Sequence, residues 1–475
     1  MGQIMGIIKG VFAQAGPANR DPLENLRLAV ELASEAGGGV EDESLEYFKA
    51  KLASLEHEVG KELAVTIRHA VSGDVVTVVR ARYSDTTSYV KEKVLRDTGE
   101  FGVALNFVFD SQVLEDNKTL QQSGVRDGDV LFLVQSSLLC LTASFDGTAR
   151  IWSLRSGNCR KILVAQLDGQ VQSATFSPNG GSLLTISLDG EGSLWCAESG
   201  ARICELGASG SDARVLSGMF SADGLWIAGA ADDGTANVWC AATGAVQETL
   251  VGHRDDVKSA AFSPDGELIV TASCDGTARL WAASGGRCLK ALRGHSDVVK
   301  SAVFSPTGKL VITASMDATA RVWSVETGES LKVLTGHAKA VNTAAFSPSE
   351  EQMLTASFDG TVRIWETESG ECLRTLPADN NVVNTATFSP DGTIVLIASG
   401  SEFIRLFDAE TGECSLTLAG HCDWVRAAAF SPDGMLIASA SYDGTARVWS
   451  ALSGQCLQTM TGHTEAVVSA ELIVA

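Results

Sequence analysis

Seven tryptophans, each preceded by Ile, Leu or Val, set a period in this chain. Trp152, Trp195, Trp239, Trp281, Trp323 and Trp365 succeed one another at 43, 44, 42, 42 and 42 residues. The step from Trp365 to Trp449 is twice 42, with Phe407 midway. A repeat of this length restricts the chain to architectures built from like units, because each unit buries its apolar face only against its neighbours. The spacing predicts eight units.

Residues 252–291 show a whole unit, GHRDDVKSAAFSPDGELIVTASCDGTARLWAASGGRCLKA. Four short β-rich runs (VKSAAF, LIVTAS, TARLW and RCLKAL) are separated by Ser-Pro-Asp-Gly, Asp-Gly and Ser-Gly-Gly. Pro presets a turn dihedral and Gly supplies positive φ. Asp275-Gly276 between two such runs is a tight-hairpin signal. Breakers about every ten residues leave no room for crossover helices, so each unit reads as a four-stranded antiparallel meander.

These units resemble WD40 repeats in their Gly-His start, Asp-Gly-Thr-Ala-Arg hairpin and closing Trp. The resemblance implies a mainly β fold, an eight-bladed WD40 β-propeller over residues 137–475. It also implies a structural hydrogen-bond network in each blade, joining the His to the hairpin Asp, a Ser of the second strand and the Trp indole. Unit by unit these are His253, Ser273, Asp275 and Trp281; His295, Ser315, Asp317 and Trp323; His337, Ser357, Asp359 and Trp365; and His421, Ser441, Asp443 and Trp449. The first unit has Ser144, Asp146 and Trp152 but no Gly-His. The C-terminus has Gly462-His463 and one strand with nothing after it. The two fragments complete one blade, which predicts Velcro closure by a last strand at about 467–474 and removes the open sheet ends. The units ending at Trp195, Trp239 and Phe407 lack parts of the pattern and are expected to be softer.

In the family, partner proteins dock on the face that carries the Asp-Gly turns. Carried over here, the contact positions are Phe145, Leu188, Met316, Phe358 and Tyr442 before the hairpin Asp, with Trp424, Arg426, Lys258 and Lys300 beside the Val that opens each first strand. Aromatics with Arg are a hot-spot mixture.

Residues 61–136 carry another pattern. LAVTIRHAVSGDVVTVVRARYS reads as a hairpin, SDTTSYVKEKVLRDTG as a capped helix, and NFVFDSQVLEDNKTLQQSGVRDGDVLFLVQ as further short strands. The order resembles the ubiquitin (β-grasp) fold, which implies an apolar docking patch at Val71, Val108 and Val134. Residues 1–60 are expected to form a helical N-terminal segment. Asp21-Pro22-Leu23-Glu24 is a helix start, and Leu45, Phe48, Leu52, Leu55 and Val59 form a stripe.

The 36 Lys and Arg against 58 Asp and Glu give a net charge of -22, most of it after residue 136. That argues against nucleic acid, which needs clustered positive charge. No apolar run is long enough for a membrane span. No nucleophile elbow, P-loop or kinase set occurs, and His57-Glu58 has no second His for zinc. The chain is therefore read as a non-catalytic protein-interaction scaffold without cofactor or metal, a monomer within a larger complex, in the cytoplasm or nucleus. Two alternatives are a substrate receptor or adaptor of the ubiquitin–proteasome system and a ribosome-assembly factor of the Notchless type. Of the 11 cysteines, Cys159, Cys204, Cys288, Cys372, Cys414 and Cys456 recur in the fourth strand and are expected to be packed free thiols in a reducing compartment.

Overall fold

The computed structural model describes residues 62–98, 102–116, 118–165, 169–207, 213–379 and 381–474. The expected helical segment 1–60 lies outside them. The chain divides into two units, the second beginning for good at Ser136.

The first unit is a ubiquitin-like β-grasp. Strands β1 (Glu62–His69) and β2 (Val75–Arg82) form an antiparallel hairpin, followed by helix α1 (Thr87–Thr98), β3 (Val103–Phe109), β4 (Gln112–Val113) and β5 (Val130–Ser144). The strand order is β2-β1-β5-β3-β4, with β1 and β5 parallel. Alternation along β1 sends Leu63, Val65 and Ile67 inward, where Val90 and Val94 of α1, Phe107 and Leu131 complete the core. Thr86 caps the helix, its hydroxyl accepting the N–H of Tyr89 at 3.3 Å. Lys91 on the buried helix face pairs with Asp116 at 2.5 Å, which neutralises an otherwise unfavourable buried charge.

In the second unit, seven self-contained four-stranded sheets follow one another over 171–206, 215–251, 257–293, 299–334, 341–377, 383–419 and 425–460. Their inner strands open on Val171, Val215, Val257, Val299, Val341, Val383 and Val425, all buried. Each second strand is buried almost throughout, as Leu268–Ser273 shows, because neighbours cover both faces. The fourth strands alternate exposure and form the outer edges. The apolar clusters bridge adjacent sheets: Leu280 and Leu292 of one pack with Val299, Val311 and Trp323 of the next. Stability therefore comes from nearest-neighbour contacts around the ring.

The expectation of eight like blades is corrected here. Seven blades are self-contained, and the first unit of the repeat is not. Its strands β6 (Thr148–Ser153) and β7 (Cys159–Val164) have no separate second strand before them and pair onto the later half of β5. Val130–Leu133 of that strand pair with β1, whereas Leu139–Ala143 pair with β6. The physical reason is local: no Gly or Pro stands between Asp129 and Asp146, so nothing ends the strand at the predicted boundary near residue 136. The ring closes at this composite sheet. The C-terminal strand Val467–Val474 pairs antiparallel with Leu138–Ser144 of β5 and touches the inner strands Val425–Phe430 and Val171–Phe176 on either side.

Candidate protein interface

The histidines of the regular blades organise the loops that carry the Asp-Gly turns. His253 Nδ1 lies 3.0 Å from Asp275 Oδ2 and its Nε2 lies 2.7 Å from Thr271 Oγ1. Trp281 Nε1 donates to the same Thr271 hydroxyl at 2.9 Å. One tautomer satisfies every group: the indole N–H donates to Thr, the Thr hydroxyl to Nε2, and Nδ1–H to the carboxylate. The same chain of bonds links Trp323, Thr313, His295 and Asp317; Trp365, Thr355, His337 and Asp359; and Trp449, Ser439, His421 and Asp443. It also crosses the seam, where His463 reaches Asp146 at 2.8 Å and Thr142 at 2.8 Å, with Trp152 donating to Thr142.

Here the sequence reading is corrected in one member. The hydroxyl between His and Trp is not Ser273, Ser315, Ser357, Ser441 or Ser144, but the residue two positions earlier. Both hydroxyls lie on one strand face, since side chains repeat every second residue. The named Ser braces the loop instead. Ser273 donates to Asp255 O at 3.0 Å and accepts the N–H of Asp275 at 3.1 Å, as do Ser315, Ser357 and Ser441 in their loops. Ser144 donates to Glu465 O and accepts from Asp146 N. The recurring Thr-Ala-Ser triplet contained the signal.

The electrostatics fit a neutral imidazole. Burial lowers the pKa of His253, His295, His337, His421 and His463, and the facing Asp offsets this only in part. Burial pushes the Asp carboxyls up, but the Thr hydroxyl, imidazole and main-chain N–H donors outweigh it. Asp146, Asp275, Asp317 and Asp359 are held at about 2, and Asp443 is lowered likewise.

On this scaffold, each position before the hairpin Asp is tied to the residue that precedes a first strand, and one such pair, Tyr442 with Trp424, joins the two predicted sets. Main-chain N–H groups of Leu188, Met316, Phe358, Tyr442 and Phe145 donate to Gln170, Val298, Ala340, Trp424 and Ala466 carbonyls at 2.7–3.0 Å. The structure brings three aromatics together. Phe145 meets Tyr442 edge-on at 6.2 Å, and Tyr442 meets Trp424 edge-on at 6.4 Å. Trp424 is 58% exposed, and Arg426 beside it is exposed. Met316 and Leu188 are exposed on other blades, whereas Phe358 is half-buried and makes no ring contact with the trio. Lys258 and Lys300 are half-buried, Lys258 held at 2.8 Å by Asp256.

In the β-grasp unit, Val71 stands fully exposed in the turn after β1, Val134 is exposed on β5 and Val108 is half-buried on β3. The sequence reading missed Phe132, 43% exposed. Alternation along Val130–Val134 places it on the same face as Val134, opposite the buried Leu131 and Leu133. The fourth-strand cysteines are free thiols, as are the rest. They are not all packed: Cys372 and Cys414 are exposed, because the outer strand has no neighbour on its free edge.

Two family models match the chain. The WD domain, G-beta repeat matches at residues 203–240, 244–282, 286–324, 328–366, 370–408 and 412–450. The ubiquitin family matches at residues 65–138. The six repeat windows leave out the first two units of the period, those closed by Trp152 and Trp195. No curated protein matches the chain.

Proposed function

Because this chain is a WD40-repeat propeller protein with an N-terminal ubiquitin-family domain, we propose that it is a non-catalytic scaffold holding protein partners on the Asp-Gly face, around Trp424, Tyr442 and Phe145. The observation that carries this reading is the exposed pair Trp424 and Tyr442, backed by the half-buried Phe145, on neighbouring loops. Large rings that brace one another edge-on lose little freedom when a partner covers them, which is what binding hot spots need. The acidic propeller favours partners with basic surfaces. Phe132 and Val134 give the ubiquitin-like unit an apolar face for a second contact. No described helix is long and apolar enough to cross a membrane, and eleven free thiols suit a reducing compartment such as cytoplasm or nucleus.

The test is affinity capture with mass spectrometry, comparing the full chain with Trp424→Ala/Tyr442→Ala. The double variant should keep its melting curve and lose at least one partner. Retention of every partner would remove this face as the site.

A further inference from the structure

A cavity of about 540 Å³ opens between the blades 215–251 and 257–293, lined by Trp226, Val238, Glu248, Phe262, Glu267 and Ala283 among others. It lies at the strand ends opposite the Asp-Gly turns, away from the aromatic trio. The repeat itself supplies the reference against which it stands out.

At the position of Glu248, four other units carry a cation: Lys161, Lys290, Lys332 and Arg374. Each of these stems runs under the turn glycine of the next unit. A Cβ on Gly200, Gly328, Gly370 or Gly412 would come within 2.8–3.2 Å of the Lys or Arg Cδ. Three of the charged heads donate to a carbonyl of that turn: Lys161 to Ser199, Lys290 to Val325 and Arg374 to Glu410, at 3.1–3.3 Å. These junctions are filled by the protein's own cation. The remaining three carry the neutral Cys204, Leu416 and Gln458.

The junction at Glu248 inverts this chemistry. Glu248 Oε1 accepts the N–H of Gly285 at 2.9 Å, in a turn reading Ser284-Gly285-Gly286 where the next unit has Glu326-Thr327-Gly328. Among the described residues, no cation lines the space. Trp226 stands where Leu268, Leu310, Ile394 and Leu436 stand in other units, and is 36% exposed. A second carboxylate, Glu267, is exposed at the rim. An indole wall beside two carboxylates suits a flat organic cation, because a guanidinium stacks on the ring while its edge N–H groups meet carboxylate oxygens.

We propose that this cavity is a binding site for an arginine side chain of a protein partner, which takes the place of the cation that other junctions supply internally. The charge of the propeller favours that occupant over an apolar one.

The test uses the full chain and two probes, N-acetyl-arginine methylamide and its neutral counterpart N-acetyl-citrulline methylamide, followed by calorimetry and ligand-observed NMR. The arginine probe should bind in the millimolar range, with citrulline at least ~10-fold weaker. Trp226→Leu and Glu248→Lys install residues that equivalent positions already hold, so the fold should persist, checked by an unchanged melting curve. Each should weaken arginine binding by about 10-fold or more. Trp424→Ala/Tyr442→Ala should leave it unchanged, which separates this site from the aromatic face. Equal binding of citrulline, wild-type binding by both swap variants, or no binding at about 20 mM probe would each overturn the proposal.

Discussion

Two kinds of blade share this ring. The blades closed by Trp281, Trp323, Trp365 and Trp449, and the closing sheet with Trp152, carry the full Trp–hydroxyl–His–Asp chain. Those closed by Trp195, Trp239 and Phe407 do not. What differs is not whether the buried indole N–H is satisfied but how. Trp195 keeps its hydroxyl partner, Thr185, at 2.9 Å. Around Trp239 the hydroxyl position is Gly229, and a Cβ there would lie 2.5 Å from Trp239 Cζ3. The ring has moved into the vacated space, and its N–H donates to Gly207 O at 3.0 Å. Around Phe407 both members are apolar together, Ile397 for the hydroxyl and Phe for Trp, and Asp379 in the His position forms an ion pair with Arg405. Removing both partners of a buried bond costs far less than stranding one. Only around Phe407 are both members of the bond removed together; around Trp195 the indole keeps its hydroxyl, and around Trp239 it takes a main-chain carbonyl instead.

The most severe way to break the comparison is to remove what holds both kinds of blade in one ring. Deleting residues 464–475 takes away the C-terminal strand with buried Val467, Val468, Ala470 and Leu472. By area alone that is on the order of 5 kcal/mol, and it also opens the seam. We expect the cooperative thermal transition to be lost or to fall by more than about 10 °C, measured by circular dichroism. A truncated chain that melts like the intact one would show that the composite sheet does not close the ring.

Next in size is a matched pair of substitutions. Asp275→Ala strands the His253 N–H and the main-chain N–H groups of Arg254 and Thr277, and should cost about 2–3 kcal/mol in urea unfolding. Asp233→Ala, its counterpart beside Trp239, loses only the contacts with Thr235 and should cost less than about 1 kcal/mol. Equal costs would mean that the complete chain adds nothing. Thr271→Val and Ser273→Ala sharpen the assignment, since only the first should strand the Trp281 indole.

The period, the turns and the seam were legible in the sequence because they rest on residues with strong local preferences: Asp-Gly, Ser-Pro-Asp-Gly, and a Gly-His left without its blade. The hydroxyl of the network was not. Thr271 and Ser273 are both hydrogen-bonding residues on one strand face, and only the reach of the indole across the antiparallel pair Ile269–Trp281 selects between them. The unbroken strand Val130–Ser144 was hidden for the opposite reason. Gln135-Ser136-Ser137 is polar enough to resemble a linker, yet nothing in it obstructs an extended backbone. The cavity beside Trp226 leaves no mark in the period, because it is lined by residues of two successive units that the repeat pattern does not fix.

A smaller effect comes with pH. The five imidazoles have folded pKa values below 6.5, so the unfolded chain takes up their protons first as pH falls. Their contribution is complete above about pH 6.5 and erodes below it. The Asp carboxyls held near 2 add a second loss only below about pH 4. Glu471, raised by burial, runs the other way, gaining stability as pH falls toward its unfolded value. One such group against five leaves a net fall in the urea midpoint from about pH 7.5 to about pH 5.5. A rise over that interval would mean that the imidazoles are charged in the fold.

The smallest effect belongs to the blade that gave up the network altogether. Asp379 has a left-handed φ of 53°, which Asn tolerates as well as Asp does. Asp379→Asn therefore keeps the backbone and removes only the charge facing Arg405. Both side chains of the pair are about a third exposed, so water screens it, and the loss should stay below about 1 kcal/mol. A double-mutant cycle with Arg405→Met isolates the pair, and a coupling energy near zero would fit as well as a few tenths of a kcal/mol. A coupling above about 2 kcal/mol would instead make the ion pair a full replacement for the His–Asp link. In that case the blade at Phe407 would be as firmly held as its neighbours, and the division into two kinds of blade would fail there first.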